Sequence, residues 1–466
     1  MPCTHRTLVA RALAGFLALL PALSADAAEV EFEGFYQVRG RYYNSLSLSA
    51  PGAPGLPEGS SLYAEHRVWL RPRFLLSDRV RMQVDFRGLD NVVWGNQPDF
   101  PTSFTDQPVY AEGLTAPTSD QDERAPLLDF TIWRAWGEID TDFGRLSVGR
   151  MPLHWGAGMW QNDGLSINAL GGDSADRIQF EALVQDTIFV RGAFDTHAER
   201  FVNEQDDTYA LSLAAAYKSE RIVGGLQFHY RRTDRDAPAN DLNLFTVDAA
   251  LEAEVGQFKV SAEGIGQFGS GDLDSGLNDV NITAFGAVLE AQLELDQWTF
   301  RVDGGFASGD SDRTDNNLRT FSFDRDYNVG VMLFEVPMPV FGQAAPNDDN
   351  GNQSFDNVLV GDTVSNALYL KPTISRSLIW GFSAEASVLL ARTAAVPDDL
   401  ANAGRRGYGT EVMGGIVFDG LQHVELDARG GVFLPGAYFR NFSDDTFTDG
   451  FERPAVGIQT TGRIKF

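Results

Sequence analysis

Apolar and polar side chains alternate one for one through most segments of this chain that are not turns, and no other feature leaves it so few folds. Val80, Met82, Val84 and Phe86 interleave with Arg81, Gln83, Asp85 and Arg87, and Val68, Leu70, Pro72 and Phe74 with Arg67, Trp69, Arg71 and Arg73. A period of two is that of a β-strand, whose successive side chains point to opposite faces. Each such stretch is therefore a strand with one apolar and one charged face. The connections alternate short with long. The short ones are Ser77–Arg79, Thr141–Gly144, Gln185–Thr187, Lys218–Arg221, Glu254–Gln257, Leu295–Gln297, Arg376–Leu378 and Asp419–Gln422; the long ones lie near 44–61, 90–126, 151–175, 197–206, 233–241, 270–278, 308–356, 393–406 and 437–453. Nine long and eight short connections join eighteen strands, an even number that returns both termini to one side.

Strands with one greasy face must bury it, and composition decides where. The charge is −28 and the mean hydropathy −0.19, too polar for a bundle of membrane helices. The longest apolar run, Leu8–Leu23, follows Arg6 and precedes Ala25-Asp26-Ala27; this is the pattern of a secretory leader, so residues 1–27 are expected to be removed and 28–466 to form the mature domain. No later stretch approaches the roughly 18 to 20 apolar residues of a membrane helix. The rest of the chain, continuous hairpins with no linker, does not divide into soluble sandwiches of about 100 residues each. A closed antiparallel barrel in a membrane needs only every second residue to be apolar. The expectation is thus an all-β protein, a single transmembrane antiparallel barrel of about 18 strands, with short periplasmic turns and long extracellular loops. Pro454 to Phe466 alternate up to a terminal aromatic, which looks like the terminal signature of bacterial outer-membrane barrels.

A charge at the lipid midplane costs about 2–4 kcal/mol for Arg or Lys, so the charged faces turn to the lumen. Phe32, Tyr36, Val38 and Tyr42 then face lipid and Gln37, Arg39 and Arg41 face inward; from a lipid-facing Phe466, Arg463 and Lys465 also point inward. Closure gathers Arg39, Arg41, Arg67, Arg71, Arg73, Arg81, Arg87, Arg463 and Lys465 on one wall, opposite Glu252, Glu254, Glu263, Glu290 and Glu294. Two readings stand side by side. The cations select anions in a narrow, poorly screened pore, or they pair with carboxylates and satisfy a polar interior. Tyr42, Tyr43, Trp298 and Tyr438 are candidates for interface girdles. The loop from Gly149 to Gly158, rich in Gly, Pro and Trp, either folds in to narrow the pore or packs Trp155 and Trp160 at the membrane rim.

Other chemistries find little support. The acidity argues against nucleic acid but suits contact with the bilayer and with lipopolysaccharide through divalent cations. Cys3 is the only cysteine and falls within the leader, and the histidines are scattered without metal-ligand spacing. Asp310, Asp312 and Asp315, like Asp348, Asp349 and Asn350, lack the full calcium-loop pattern. Gly172-Asp173-Ser174 is not a nucleophile elbow. No cofactor and no catalytic set is expected, and the chain reads as a non-enzymatic barrel, monomeric because it carries no heptads.

Ala307-Ser308-Gly309-Asp310 with the Asp/Asn-rich run to Asn317 and then Arg319-Thr320-Phe321 resembles a segment of the alginate-export family of outer-membrane channels. Arg134 to Ile139, followed by Leu146-Ser147-Val148-Gly149-Arg150, is similar to that family's paired strands ending in Gly-Arg. The resemblance implies an eighteen-stranded barrel exporting anionic polysaccharide with periplasmic export proteins feeding it. The chain departs from that family in having no long periplasmic loop. The alternatives are an uptake porin for small anions and a structural or adhesive surface barrel.

Overall fold

The computed structural model describes residues 29–44, 60–94, 131–198, 208–233, 241–272, 280–312, 315–336, 363–396, 406–438 and 453–466; the leader expected at 1–27 and the Asp348–Asn350 run lie outside them. The strands are β1 (Glu29–Asn44), β2 (Ser60–Ser77), β3 (Val80–Val93), β4 (Thr131–Thr141), β5 (Gly144–Pro152), β6 (Ser174–Val184), β7 (Ile188–Ala198), β8 (Thr208–Lys218), β9 (Ile222–Thr233) and β10 (Leu242–Val255). They continue with β11 (Phe258–Gly271), β12 (Val280–Leu295), β13 (Trp298–Ala307), β14 (Asn317–Leu318), β15 (Ala367–Ser377), β16 (Phe382–Thr393), β17 (Gly407–Leu421), β18 (Val424–Pro435) and β19 (Ala455–Lys465). The two-residue β14 runs parallel to the outer end of β12, whereas β13 pairs directly with β15, so eighteen antiparallel strands form the wall. β19 pairs with β1, Gln37 opposite Arg463 and Asn44 opposite Val456, and the barrel is closed. Among the described residues no helix is long and apolar enough to cross a membrane.

Six of the eight short turns fall where the alternation places them; the turn expected at Arg376–Leu378 lies at 378–381, and the one expected at Asp419–Gln422 at 422–423. Thr141 shows why such turns form: its hydroxyl donates to the Gly144 carbonyl at 2.7 Å and accepts from the Phe143 and Gly144 amides at 3.3 and 3.2 Å. At closure the Phe466 amide donates to Gly34 O at 3.0 Å, and a Cβ on Gly34 would lie 2.7 Å from the Phe466 ring, so glycine leaves room for the terminal aromatic.

Outward positions carry an apolar belt that includes Phe32, Ile178, Leu213, Leu251, Leu289, Ile416, Ile458 and Ile464. In water so extensive an apolar surface would aggregate; against hydrocarbon it is the satisfied face.

Of the two readings of the loop from Gly149 to Gly158, the structure takes the inward one. The connection from β5 to β6 and the described part of that from β13 to β15 turn inward. Met159, Phe321, Phe323, Val331, Met332, Leu333 and Phe334 pack against inward wall residues Tyr43, Ile265, Val288, Leu389, Met413 and Phe433. Burial of each large side chain contributes about 1.5–3 kcal/mol, which makes the inward loops a plug rather than a flap. Tyr43 and Tyr438, candidates for the interface girdle, belong to this core instead. For Tyr43 the reason is register: two residues beyond Arg41, it keeps the inward phase of Arg39 and Arg41. Trp155 and Trp160 are also inside, not at the rim. Trp155 stacks 5.5 Å from the Arg191 guanidinium, and Trp160 meets the His229 ring edge-on at 5.3 Å.

One glycine sets a luminal position. A Cβ on Gly305 would lie 2.2 Å from the ring of its cross-strand neighbour Tyr369. Gly305→Ala must displace that ring, and overpacking of this kind costs about 1–3 kcal/mol. The expected result is a lower temperature for the folded-to-unfolded mobility shift on gels, with the barrel still formed.

Candidate functional site: a lumen between a basic wall and a wall of mixed sign

Strands β19, β1, β2 and β3 project arginines inward on adjacent rungs, and β4 adds Arg134. Guanidinium groups present five donors in a planar fork, enough to serve a carboxylate and a carbonyl together. Arg39 and Arg41 approach Glu65 at 3.2 and 3.6 Å, while Arg39 also donates to Ile167 O and Ala169 O at 3.3 and 3.0 Å. Arg67 pairs with Asp90 at 2.8 Å and donates to Ala169 O and Gly171 O, both at 3.3 Å. Arg87 shares Asp90 at 3.2 Å and donates to Gly171 O. Arg463 donates to Gln37 at 2.9 Å, Leu165 O at 3.1 Å and Ser166 O at 2.8 Å. Arg134 reaches Asp163 O and Asp173 O at 3.0 and 2.7 Å. The basic wall thus grips the carbonyl side of the loop from 163 to 173, whose backbone would otherwise be buried without partners.

Lower on the same wall, Arg71 holds Asp85 through two bonds of 2.5 and 2.8 Å and lies 4.8 and 5.3 Å from the rings of Trp69 and Trp136. Arg73 pairs with Glu31 at 3.2 Å, Arg81 with Glu138 at 3.3 Å and with Asp140, and Lys465 with Glu425 at 3.2 Å. All nine cations proposed from the sequence therefore point inward, and eight of them lie within ion-pair distance of a carboxylate. Arg134 was missed, although it shares the inward phase of Trp136 and Glu138 and the alternation of β4 carried the signal.

Carboxylates hold the amide side. Glu263 accepts from Ala157 and Met159 N–H at 2.7 and 3.2 Å. Glu411 accepts from Val331, Met332 and Leu333 at 3.1, 3.0 and 3.0 Å. Lys371 is the exception in sign, donating to Val329 O at 2.7 Å. Of the other acids expected on this wall, Glu252, Glu254 and Glu290 line a cavity of about 300 Å³ together with Arg221, Lys259 and Arg301. Glu294 pairs with Lys259 at 3.1 Å. The far wall is therefore mixed in sign.

The two inward loops meet at carboxylates. Asp326 accepts from Gly171 N–H at 3.1 Å, the Asp324 amide donates to Met159 O at 2.7 Å, and Asp173 accepts from Asn162 N–H at 3.2 Å. Burial, and then the neighbouring Asp173 charge, push Asp324 up to about 8; burial also raises Asp173, which shares a hydrogen bond with it. Farther out, Asp310 and Asp315 pair with Arg319 at 3.1 and 2.9 Å. Among the described residues no group of three or more His, Cys, Asp or Glu is placed to hold a metal.

No family model and no curated protein matches the chain. Solved structures do. The outer membrane protein opdK from Pseudomonas aeruginosa superposes with a TM-score of 0.50 at 10% identity, covering 94% of this chain and 99% of that one. OccAB4 from Acinetobacter baumannii gives 0.48 at 10% identity over 94% and 98%, and Pseudomonas aeruginosa OccK2 (OpdF), solved in complex with glucuronate, 0.49 at 10% over 94% and 97%. At such identity the likeness is one of fold, that of an eighteen-stranded outer-membrane barrel. This chain is such a barrel, and its place is the bacterial outer membrane. The resemblance to alginate-export channels is overturned: the solved structures that match over nearly the whole length include the Occ and Opd outer-membrane proteins just named. Polysaccharide export and its periplasmic partners rested on that resemblance and go with it.

Proposed function

We propose that this channel takes up small organic anions, drawn by the positive potential of its basic wall. The observation that supports the reading is the sharing of carboxylates. Arg67 and Arg87 share Asp90, Arg71 and Arg134 share Asp85, and among the described residues Arg463 has no carboxylate within ion-pair distance. Within ion-pair distance, these five arginines meet only two carboxylates behind the loop that narrows the lumen. There screening is weak and the field of a buried charge reaches far. Toward the turn end, Arg73, Arg81 and Arg145 open this wall to solvent, 40%, 25% and 42% exposed, around a cavity of about 490 Å³ that they share with Glu31, Gln83 and Glu138. The anion is passed between guanidinium groups that are already partly satisfied, so none holds it tightly enough to stop it.

Reversal potentials in planar bilayers under a potassium chloride gradient test this. The chain should prefer chloride, and gluconate in place of chloride should still carry current. Replacing Arg73, Arg81 and Arg145 together by glutamine leaves Glu138 and Asp140 without a cationic partner and should move the preference toward cations. A wild-type channel that prefers potassium would overturn the proposal.

A further inference from the structure

On the wall opposite the arginines, three strands set polar side chains in register just beneath the plug. Glu290 of β12 lies opposite Asp303 of β13, which lies opposite Lys371 of β15; one rung on, Arg301 faces Thr373. Tyr327, Asn328 and Val329 of the inward loop cover them. Two contacts fix the cover, Tyr327 OH donating to Glu290 at 2.6 Å and Lys371 to Val329 O at 2.7 Å. What remains is a cavity of about 110 Å³ lined by these residues and Tyr369. It shares the lining residues Glu290 and Arg301 with the 300 Å³ cavity toward the turn end.

The cavity is built but unsatisfied. Among the described residues, Asp303 Oδ1, Asn328 Oδ1 and, beside them, Thr373 Oγ1 are buried with no hydrogen-bond partner in the protein, and Asp303 is only 7% exposed. Buried polar atoms left without partners cost about 1–3 kcal/mol each, so a native fold keeps them where something else supplies the bond. The volume is well above the roughly 10–15 Å³ that one water needs. Charge narrows the ligand: Glu290 and Asp303 are matched by Arg301 and Lys371, which favours an uncharged group. Orphaned acceptors beside a guanidinium donor suit hydroxyls, each of which gives one hydrogen bond and takes others. Tyr327 and Tyr369 add ring surface for carbon–hydrogen faces.

The geometry points to a polyol subsite in the lumen, in which Asp303 and Asn328 accept from neighbouring hydroxyls and Arg301 donates to them. It rests on the channel reading and names the second half of the substrate class, hydroxylated small molecules, independently of their charge.

D-glucose, which is neutral, tests it. Added to single channels in a planar bilayer, glucose should interrupt the current in a concentration-dependent way, and tetrahydropyran-2-methanol, with a similar ring and one hydroxyl, should not. Asp303→Ala and Asn328→Ala should each weaken the glucose effect about tenfold, the loss expected for one buried hydrogen bond. Glu254→Gln, in the adjoining cavity, should leave it unchanged. Absence of any glucose-dependent interruption, or equal interruption in the wild type and both variants, would mean a cavity that holds water only and would overturn the subsite. A channel that prefers cations yet is interrupted by glucose would sink the anion proposal and leave the subsite standing.

Discussion

Glu411→Leu should raise the single-channel conductance several-fold while leaving the barrel folded. Glu411 stands on β17 with its side chain fully buried, and its two oxygens take the amides of Val331, Met332 and Leu333 at 3.0 to 3.1 Å. Leucine offers no acceptor. Three buried N–H groups would be orphaned at once, at about 1–3 kcal/mol each, a penalty comparable to the burial of two or three of the loop's apolar side chains. The loop therefore loses its seat in the lumen. The wall does not, because β17 keeps its ladders with β16 and β18. Glu411→Gln, which retains one acceptor oxygen, should fall between leucine and the wild type. Conductance and mobility-shift temperature measured on the same preparations separate the outcomes: unchanged conductance in the leucine variant would show that Glu411 does not hold the plug.

The wall of this barrel is legible in the chain because lipid enforces one rule at every strand. A charge such as Arg71 or Arg87 cannot face hydrocarbon, so its direction follows from its phase, and the turns fix the strand number. The direction of the loops obeys no comparable rule. The signal was present at the outer ends of the strands, where Met413, Ile265 and Leu389 are apolar on the inward phase and have nothing to pack against unless a loop enters. Glu263 and Glu411 stand among those apolar positions, and alternation alone makes them wall residues; their role as amide acceptors appears only once the loops are inside. The pairing of Arg39 with Glu65 likewise depends on the register of β1 against β2, which a long connection leaves open. The resemblance to alginate-export channels misled because Gly-Arg at a strand end and an Asp/Asn-rich loop are local solutions available to any barrel, here an Asp310–Arg319–Asp315 bracket.

Raising the pH should loosen the junction between the two inward loops. Asp324 and Asp173 share a hydrogen bond there, which one carboxyl can donate only while it keeps its proton, and Asp324 holds that proton up to about 8. The native state thus binds more protons than the unfolded chain between the usual aspartate value near 4 and about 8. Stability falls with rising pH wherever the native state is the more protonated, so the junction is strongest in acid and its contribution is lost as the pH climbs through 8. Asp326 adds a further negative charge nearby and Arg134 a positive one, and ionisation of Asp324 places a second carboxylate against Asp173. Single-channel recordings at pH 5 and pH 9 should show quiet currents in acid and frequent transitions to larger conductances in alkali. Asp324→Asn keeps a donor at every pH and should remain quiet across the range; the same alkaline transitions in that variant would place the titrating group elsewhere in the lumen.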